Sequence, residues 1–542
     1  MSVHVLEHDK PLSTIEHVET QENKEVDVAD GSGLMKSPID HLSIWQTLWI
    51  FKRVVIFIIL VYTGYVCEGF ELNAGGTIVA NKGFLKQFGA RDQEGVRALD
   101  PTWLSTWGAM LNVGQIVTFT HISWVADRWG RKTAFYLAWL WLMAGCMIMN
   151  FATTSGVWAI AKLCNGAGIG VLQVVCQVYV MEICPDKIRG GMVIFQAVWT
   201  AIGGIICSIM MQQLNKHYPE DFRLPLRILW APIGLMLICW SIVPESPWYH
   251  ARRGNEEAAR NAMRRLYGNI PWYNYDEEYG IILRTLEHEK ASLAENKPRF
   301  RDVFKGVNLR RTLTVMIVAV CQQFAGLAII STYNTYFFSL VGMEDPFLAT
   351  LILSCVALLA VTLWALSADR LGRRMIVNIC ETCVVVICFV VGALYYTGAS
   401  MGNKAAGTAL LVICCIWQFT YQAVGMCYYL YSAELPSAIL RIKTGPITFF
   451  TNSITGIATV YATPPMLLAL NLRAAFVYGA LSVPMCVLMW LYLPETKGRS
   501  AAEIDELFEN KVPAWKWNKT VTTVEEELAA VQRARGARPE DA

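Results

Sequence analysis

The sequence predicts an all-α membrane protein: twelve transmembrane helices in two pseudo-symmetric six-helix bundles, joined by a cytoplasmic helical linker domain. Three observations carry that prediction. The 542-residue chain is 54% hydrophobic and 17% charged, with mean hydropathy +0.36 and net charge +2, whereas soluble domains run near about 25% charged. Apolar runs long enough to cross a ~30 Å hydrocarbon core recur along it. Short charged patterns occur twice, at nearly equal spacing.

The composition excludes a disordered scaffold and a basic nucleic-acid-binding domain, and it argues against an assembly of soluble modules. There is no catalytic triad, metal-ligand cluster or phosphate-cradling loop, so neither an enzyme nor a cofactor is expected. Most cysteines, such as Cys146, Cys207, Cys239 and Cys355, sit in apolar runs, where the residue behaves as a small hydrophobe. Cys380 and Cys383 have C-x-x-C spacing, but without a second pair or a redox context they read as lipid- or core-facing.

Taken in order, residues 1–50 are polar and acidic and lack the apolar stretch of a signal peptide. They read as a disordered cytoplasmic tail. After Lys52 and Arg53 the composition changes abruptly. Spans are expected at 54–74, 102–125, 133–152, 157–181, 192–212 and 227–243, forming a first bundle over 51–243. A second bundle over 312–495 holds spans at 312–338, 347–367, 375–397, 406–431, 444–468 and 473–493. Lipid admits only helices or closed barrels, and these runs are too long and too uniformly apolar for barrel strands. Residues 244–311 are charged throughout. Asn255 followed by Glu256 and Glu257 is a helix start, and Ala258, Ala259, Met263 and Leu266 fall near helical spacing. Two or three short amphipathic helices at the membrane surface are expected there. Residues 496–542 form a second cytoplasmic tail.

Orientation follows from Lys and Arg placement. With a cytoplasmic N-terminus, Arg128, Arg131, Lys132, Lys187, Arg189, Arg370, Arg373, Arg374, Arg441 and Lys443 share one side with the basic central loop. The loops after spans 3, 7, 9 and 11 hold only Lys404 and Arg473, while those after spans 1 and 5 break the trend. Both termini are read as cytoplasmic. The end at Pro539 to Ala542 is no endoplasmic-reticulum retrieval signal, so the plasma membrane is the default.

The repeats define the halves. Asp127-Arg128-Trp129-Gly130-Arg131-Lys132 matches Asp369-Arg370-Leu371-Gly372-Arg373-Arg374, 242 residues on. Glu182 with Arg189 matches Glu434 with Arg441, 252 on, and Pro244-Glu245-Ser246 resembles Pro494-Glu495-Thr496, 250 on. Parallel halves with substrate held between them at mid-membrane are one transporter architecture. Arginine's planar fork suits bidentate carboxylate pairing. The repeated marks, from Asp127, Arg128 and Arg131 to Asp369, Arg370, Arg373 and Glu495, therefore read as charge networks at one membrane surface. Glu182, Arg189, Glu245, Glu434 and Arg441 take part in them. The alternative is that these charges only fix topology.

With these motifs in view, the chain resembles the sugar porter family of the major facilitator superfamily over essentially all of residues 50–505. The resemblance rests on the two Asp-Arg-x-Gly-Arg turns, Glu182 to Gly190, Pro244 to Trp248, Gln322 and Gln323 with Gly326, and Pro494 to Ser500. Glu68-Gly69-Phe70-Glu71, Gly170 to Gln173, Trp248 and Thr335 to Phe338 resemble the fungal α-glucoside (maltose-type) proton symporters. The resemblance implies proton-coupled carbohydrate uptake by a protein functional as a monomer in the bilayer.

Ionisable groups within spans are costly and point to function. Glu68 and Glu71 lie three apart, on one helix face, and a carboxyl kept from water holds its proton more readily. Glu71 is the expected proton acceptor, with Glu68 assisting and Lys162 standing where many family members carry Arg. Glu381, in the ninth span, could pair with a neighbouring helix, face water or assist coupling. The resemblance implies that Gln322, Gln323 and Asn452 bind substrate, with Gln173, Tyr333, Gln196 and Tyr429 as further candidates. Buried amides can instead hold helices together. Ala328, Ala357 and Ala197 replace amide residues of the family's hexose sites. The ligand is thus either larger than a hexose and seated differently, or not a sugar. The expectation is an importer of an α-glucoside or other oligosaccharide. The alternatives are a porter of the same fold for an organic acid or secondary metabolite, and a non-transporting sensor.

Overall fold

The computed structural model describes residues 43–91, 97–270, 273–296, 300–397, 404–437, 440–497, 499, 501–523 and 525–526. Helix α1 (Ile44–Ile50) starts at a capping box in which Ser43 and Gln46 satisfy each other's backbone amides. This corrects the reading of 1–50 as wholly disordered. Helix α2 (Lys52–Ile78) follows, then α3 (Lys82–Phe88), capped by Asn81. A two-residue antiparallel ribbon pairs Ala90–Arg91 with Arg97–Ala98, a small exception to the all-helical expectation.

The rest of the first half comprises α4 (Pro101–Trp129), α5 (Arg131–Phe151), α6 (Ser155–Ile183), α7 (Asp186–His217), α8 (Arg223–Ile228) and α9 (Trp230–Ile242). The expected sixth span, 227–243, is mostly α9, and α8 with α9 makes one candidate crossing, Arg223–Ile242. Asn150 helps to hold the α8 end, donating to the carbonyl of Leu226. The linker forms α10 (Pro247–Arg252), α11 (Glu256–Tyr267) and α12 (Tyr275–Asn296). These share a small core of Ala251, Ala259, Met263, Tyr279, Ile282 and Leu286.

The second half holds α13 (Gly306–Phe324), α14 (Asn334–Leu340), α15 (Pro346–Leu371), α16 (Arg373–Ala393), α17 (Lys404–Glu434), α18 (Arg441–Leu470) and α19 (Ala474–Tyr492). The run at 312–338 is not one helix. Gly326 adopts φ +89°, a π turn covers Ala328–Thr332, and the Trp417 indole donates to the freed carbonyl of Ala325 at 2.9 Å. Helix α20 (Ala501–Glu509) lies beyond the last span, and its Phe508 carries the Arg311 guanidinium over its ring at 4.6 Å.

By length and apolarity, nine helical stretches among the described residues are candidate membrane spans, the last of which, Thr444–Tyr492, runs α18 and α19 together. Helix α4 is not among them: it carries Asn112, Gln115 and His121, as befits a helix bordering a polar hollow. Helix α2 packs on α7 and α6 on α4 and α5 in one half, with α16 on α17 and α19 in the other. Small residues set the α2–α7 distance: a Cβ on Gly69 would lie 1.9 Å from the Thr200 carbonyl oxygen. Between the halves, α4 meets α18 and α7 meets α15.

Candidate functional site

Between the halves lies a cavity of about 400 Å³. Of the residues singled out for coupling and substrate, all but Glu381 line it: Glu68, Glu71, Lys162, Gln173 and Gln196 from the first half, and Gln322, Gln323, Tyr333, Tyr429 and Asn452 from the second.

On one wall, α2 presents two buried carboxyls one turn apart. Glu71 Oε1 accepts from Lys162 Nζ at 2.6 Å and from Asn165 Nδ2 at 2.6 Å. Glu68 Oε1 accepts from Gln173 Nε2 at 2.7 Å. Both glutamates and Lys162 are at most 5% exposed. A buried ion pair endures only with good geometry and further hydrogen bonds, and Asn165 supplies one. Sequence reasoning missed Asn165, although an amide in the apolar stretch of α6 was a visible signal.

Facing them is an amide trio. Asn452 Nδ2 donates to Gln322 Oε1 at 2.7 Å, while Gln323 Nε2 donates to Asn452 Oδ1. Asn452 is thus both donor and acceptor, and a polyol could take over either role. Asn112, Gln115, Gln418 and Gln422 also line the cavity and were not foreseen. Tyr333 is different: its hydroxyl donates to the backbone carbonyls of Leu104 at 3.2 Å and Val460 at 3.4 Å. Ala197 and Ala357 line the cavity, whereas Ala328 is buried away from it. Glu381 is fully buried and is not among the lining residues.

The charged marks gather at one end of the molecule, and the two halves repeat one geometry. Arg131 pairs with Glu182 at 2.7 Å and Asp127 at 3.1 Å, and Arg373 pairs with Glu434. Glu245 accepts from the backbone amides of Arg131 at 2.9 Å and Lys132 at 3.0 Å, and Glu495 from those of Arg373 at 3.0 Å and Arg374 at 3.2 Å. These carboxylates thus cap the starts of α5 and α16, where the helix dipole favours negative charge. Tyr179 donates to the Pro244 carbonyl at 2.6 Å and Tyr431 to that of Pro494 at 3.1 Å. Gly130 and Gly372 make the turns at φ +102° and +92°, a region that suits glycine. Arg189 donates to the Cys184 carbonyl at 3.3 Å, and Arg128 lies over the Trp124 ring at 5.7 Å. The side chains of Asp369, Arg370 and Arg441 lie outside the described residues.

The ion pairs just described join helices within a half. Hydrogen bonds that join the halves at mid-depth or toward the other end include Ser453 to Gln115, Ser208 with Ser354 at 2.8 Å, Ser105 to the Tyr461 carbonyl at 2.7 Å, and Tyr333 to Leu104. A Cβ on Gly76 would lie 1.9 Å from the Thr332 carbonyl oxygen, so the halves touch closely there.

Comparison with known proteins accords with this arrangement. A family profile described as sugar (and other) transporter matches residues 56–508. The MFS transporter fmqE of Aspergillus fumigatus is 28% identical over 530 residues, covering 92% of this chain and 95% of that protein. The general alpha-glucoside permease of Saccharomyces cerevisiae is 26% identical over 512 residues, covering 92% and 82%. Among solved structures, the partially occluded inward open conformation of the xylose transporter XylE from E. coli aligns with TM-score 0.69 at 19% identity, covering 83% of this chain and 100% of that one. The proton:xylose symporter XylE bound to 6-bromo-6-deoxy-D-glucose gives 0.67 at 20% identity, covering 84% and 99%.

Proposed function

This chain belongs to the sugar (and other) transporter family, and from that membership we propose a secondary active transporter that imports a carbohydrate by proton symport with alternating access. The substrate class is an α-glucoside or another oligosaccharide. One observation carries the reading: a carboxylate clamped between a cation and an amide, Glu71 with Lys162 and Asn165, faces across a shared cavity the amides that can grip a polyol.

The chemistry follows from those contacts. Ionised Glu71 is held by Lys162. When it takes up a proton the Coulomb attraction is lost, and the α2–α6 contact rests on hydrogen bonds from the Lys162 ammonium and the Asn165 amide to a neutral carboxyl, about 1–3 kcal/mol each. Substrate hydroxyls replace the bonds within the trio of Gln322, Gln323 and Asn452, and Gln173, Gln196 and Tyr429 extend the binding surface. Tyr333 acts as a plug rather than a ligand, since its hydroxyl is committed to backbone carbonyls. The bonds at Ser105, Ser208 and Tyr333 support a conformer closed at the end remote from the charge clusters.

Counting α8 with α9, and α13 with α14, as single crossings gives twelve spans, with 51–243 and 312–495 as the two bundles. The clusters at Arg131 and Arg373, with both termini and the linker, then lie on the cytoplasmic side of the plasma membrane, and the monomer is the working unit. The maltose-type likeness supports the substrate class. A second reading, a porter for an organic acid or secondary metabolite, is favoured by Ala197 and Ala357 in the cavity wall, which offer no hydrogen bonds.

The experiment is uptake in a transporter-null host, with a carbohydrate panel that includes quinate- and galacturonate-like acids. Accumulation of a glucoside with external alkalinisation is expected. Accumulation of an acid and of no carbohydrate would establish the second reading instead.

A further inference from the structure

One buried acid takes no part in the mechanism above. Glu381, on α16, is 0% exposed, and neither carboxyl oxygen has a hydrogen-bond partner of acceptable geometry. Asn378, one turn earlier on the same helix, is 1% exposed, and both polar atoms of its amide are likewise unpartnered. Four unmet polar atoms within one turn of a membrane helix form an incomplete site, since buried polar groups are ordinarily bonded.

The titratable groups close enough to act on the carboxyl electrostatically come from three other helices: the Cys321 thiol of α13, the Tyr421 hydroxyl of α17 and the Cys486 thiol of α19. Cys380 and Cys388 are its neighbours on α16. None of these is a cation. An anion buried without a counter-charge is strongly disfavoured, so the carboxyl in this conformer carries its proton. One of these groups reaches the cavity: Tyr421 lines it and stacks on Trp417 at 4.6 Å.

We propose that Glu381 is a second protonation site of this transporter, inside the C-terminal half, whose proton occupancy is felt at the cavity through Tyr421. The step is a proton transfer. The carboxyl O–H bond breaks, the proton passes to water admitted from the cavity past Tyr421, and a carboxylate remains. The Asn378 N–H and Cys321 S–H are then the donors able to turn toward it. Reprotonation from cavity water reverses the sequence.

The link to substrate rests on the transport reading, so the first test does not use transport. Infrared difference spectra are taken of the full-length protein in lipid nanodiscs as the buffer is stepped from mildly acidic to mildly alkaline. A protonated-carboxyl stretch that fades on alkalinisation is expected in the wild type and in Glu71→Gln, and is expected to be missing from Glu381→Gln. A Glu381→Gln spectrum superimposable on the wild type overturns the proposal, as does a Glu381 band that never responds to pH. If Glu381→Gln is not recovered folded, Cys321→Ala decides: the band should move in frequency, and an unmoved band counts against the coupling. Where a transported substrate is in hand, Glu381→Gln should shift the alkaline limb of the uptake profile. An unshifted limb removes the link to transport while leaving the transport reading intact.

Discussion

Replacing Glu71 by glutamine keeps the shape of the side chain and an acceptor for Asn165, but removes the charge that Lys162 holds at 2.6 Å. Its effect on transport can be sized. At a membrane potential of about 100 mV, one co-transported charge is worth about 2.3 kcal/mol, enough for roughly 50-fold accumulation. Wild-type vesicles under such a potential should therefore concentrate substrate by that order, whereas Glu71→Gln should only equilibrate it. Exchange of labelled for unlabelled substrate, which needs no net proton movement, should survive. The same structure sizes the cost in stability. Lys162 is 6% exposed at its side chain, and leaving one partner of a buried pair alone costs about 3–5 kcal/mol. The double variant Glu71→Gln with Lys162→Met should recover most of that in thermal unfolding, because neighbours in direct contact are not additive. Accumulation by Glu71→Gln undiminished under the gradient would refute the coupling role. Equal destabilisation by the single and double variants would refute the argument from an uncompensated cation.

Three further outcomes are expected. Asn452→Ala removes the donor and the acceptor that substrate hydroxyls would engage, so substrate affinity should fall by about 2 kcal/mol, roughly 30-fold; equilibrium binding measures this, and an unchanged affinity removes Asn452 from the site. Cysteines at Ser208 and Ser354, whose hydroxyls are 2.8 Å apart, should form a disulfide that stops uptake until a reductant is added. Uptake that continues with the crosslink complete would show that these helices need not part. Gly372→Ala forces alanine into φ +92° with its Cβ 2.7 Å from Glu495 Oε2, so a loss of about 1–3 kcal/mol is expected in unfolding, and a stable variant would contradict the assigned turn.

Much of this was legible because lipid leaves so few options. Long apolar runs can only be helices there, and a charge placed inside one must have a reason, which is why Glu68, Glu71 and Lys162 stood out before any coordinates. The duplicated turns at Gly130 and Gly372 were equally plain, since glycine between paired charges has a conformational meaning. What could not be read is contact between residues remote in the chain. That Asn165 completes the Glu71 pair depends on the rotation of α6, and that Tyr333 spends its hydroxyl on Leu104 depends on how the halves meet. The break after Phe324 was hidden because Gly326, Ala328 and Ile329 keep the run apolar while the backbone departs from the helix. Glu245 and Glu495 read as partners for arginine side chains, yet they cap helices through backbone amides, a use that the motif alone does not distinguish.

The duplicated clusters carry a mechanical consequence. Arg131 and Arg373 each find a counter-ion aboard their own half. If the halves pivot as proposed, the Arg131–Glu182 and Arg373–Glu434 pairs can travel intact, each within its own half. Among the described contacts across the seam are serine hydroxyls, a tyrosine, close-set glycines and the Phe119–Phe449 ring pair at 5.4 Å. A machine arranged this way keeps its strong fastenings out of the moving joint, and its turnover should respond more to hydration at the far seam than to salt at the charged face.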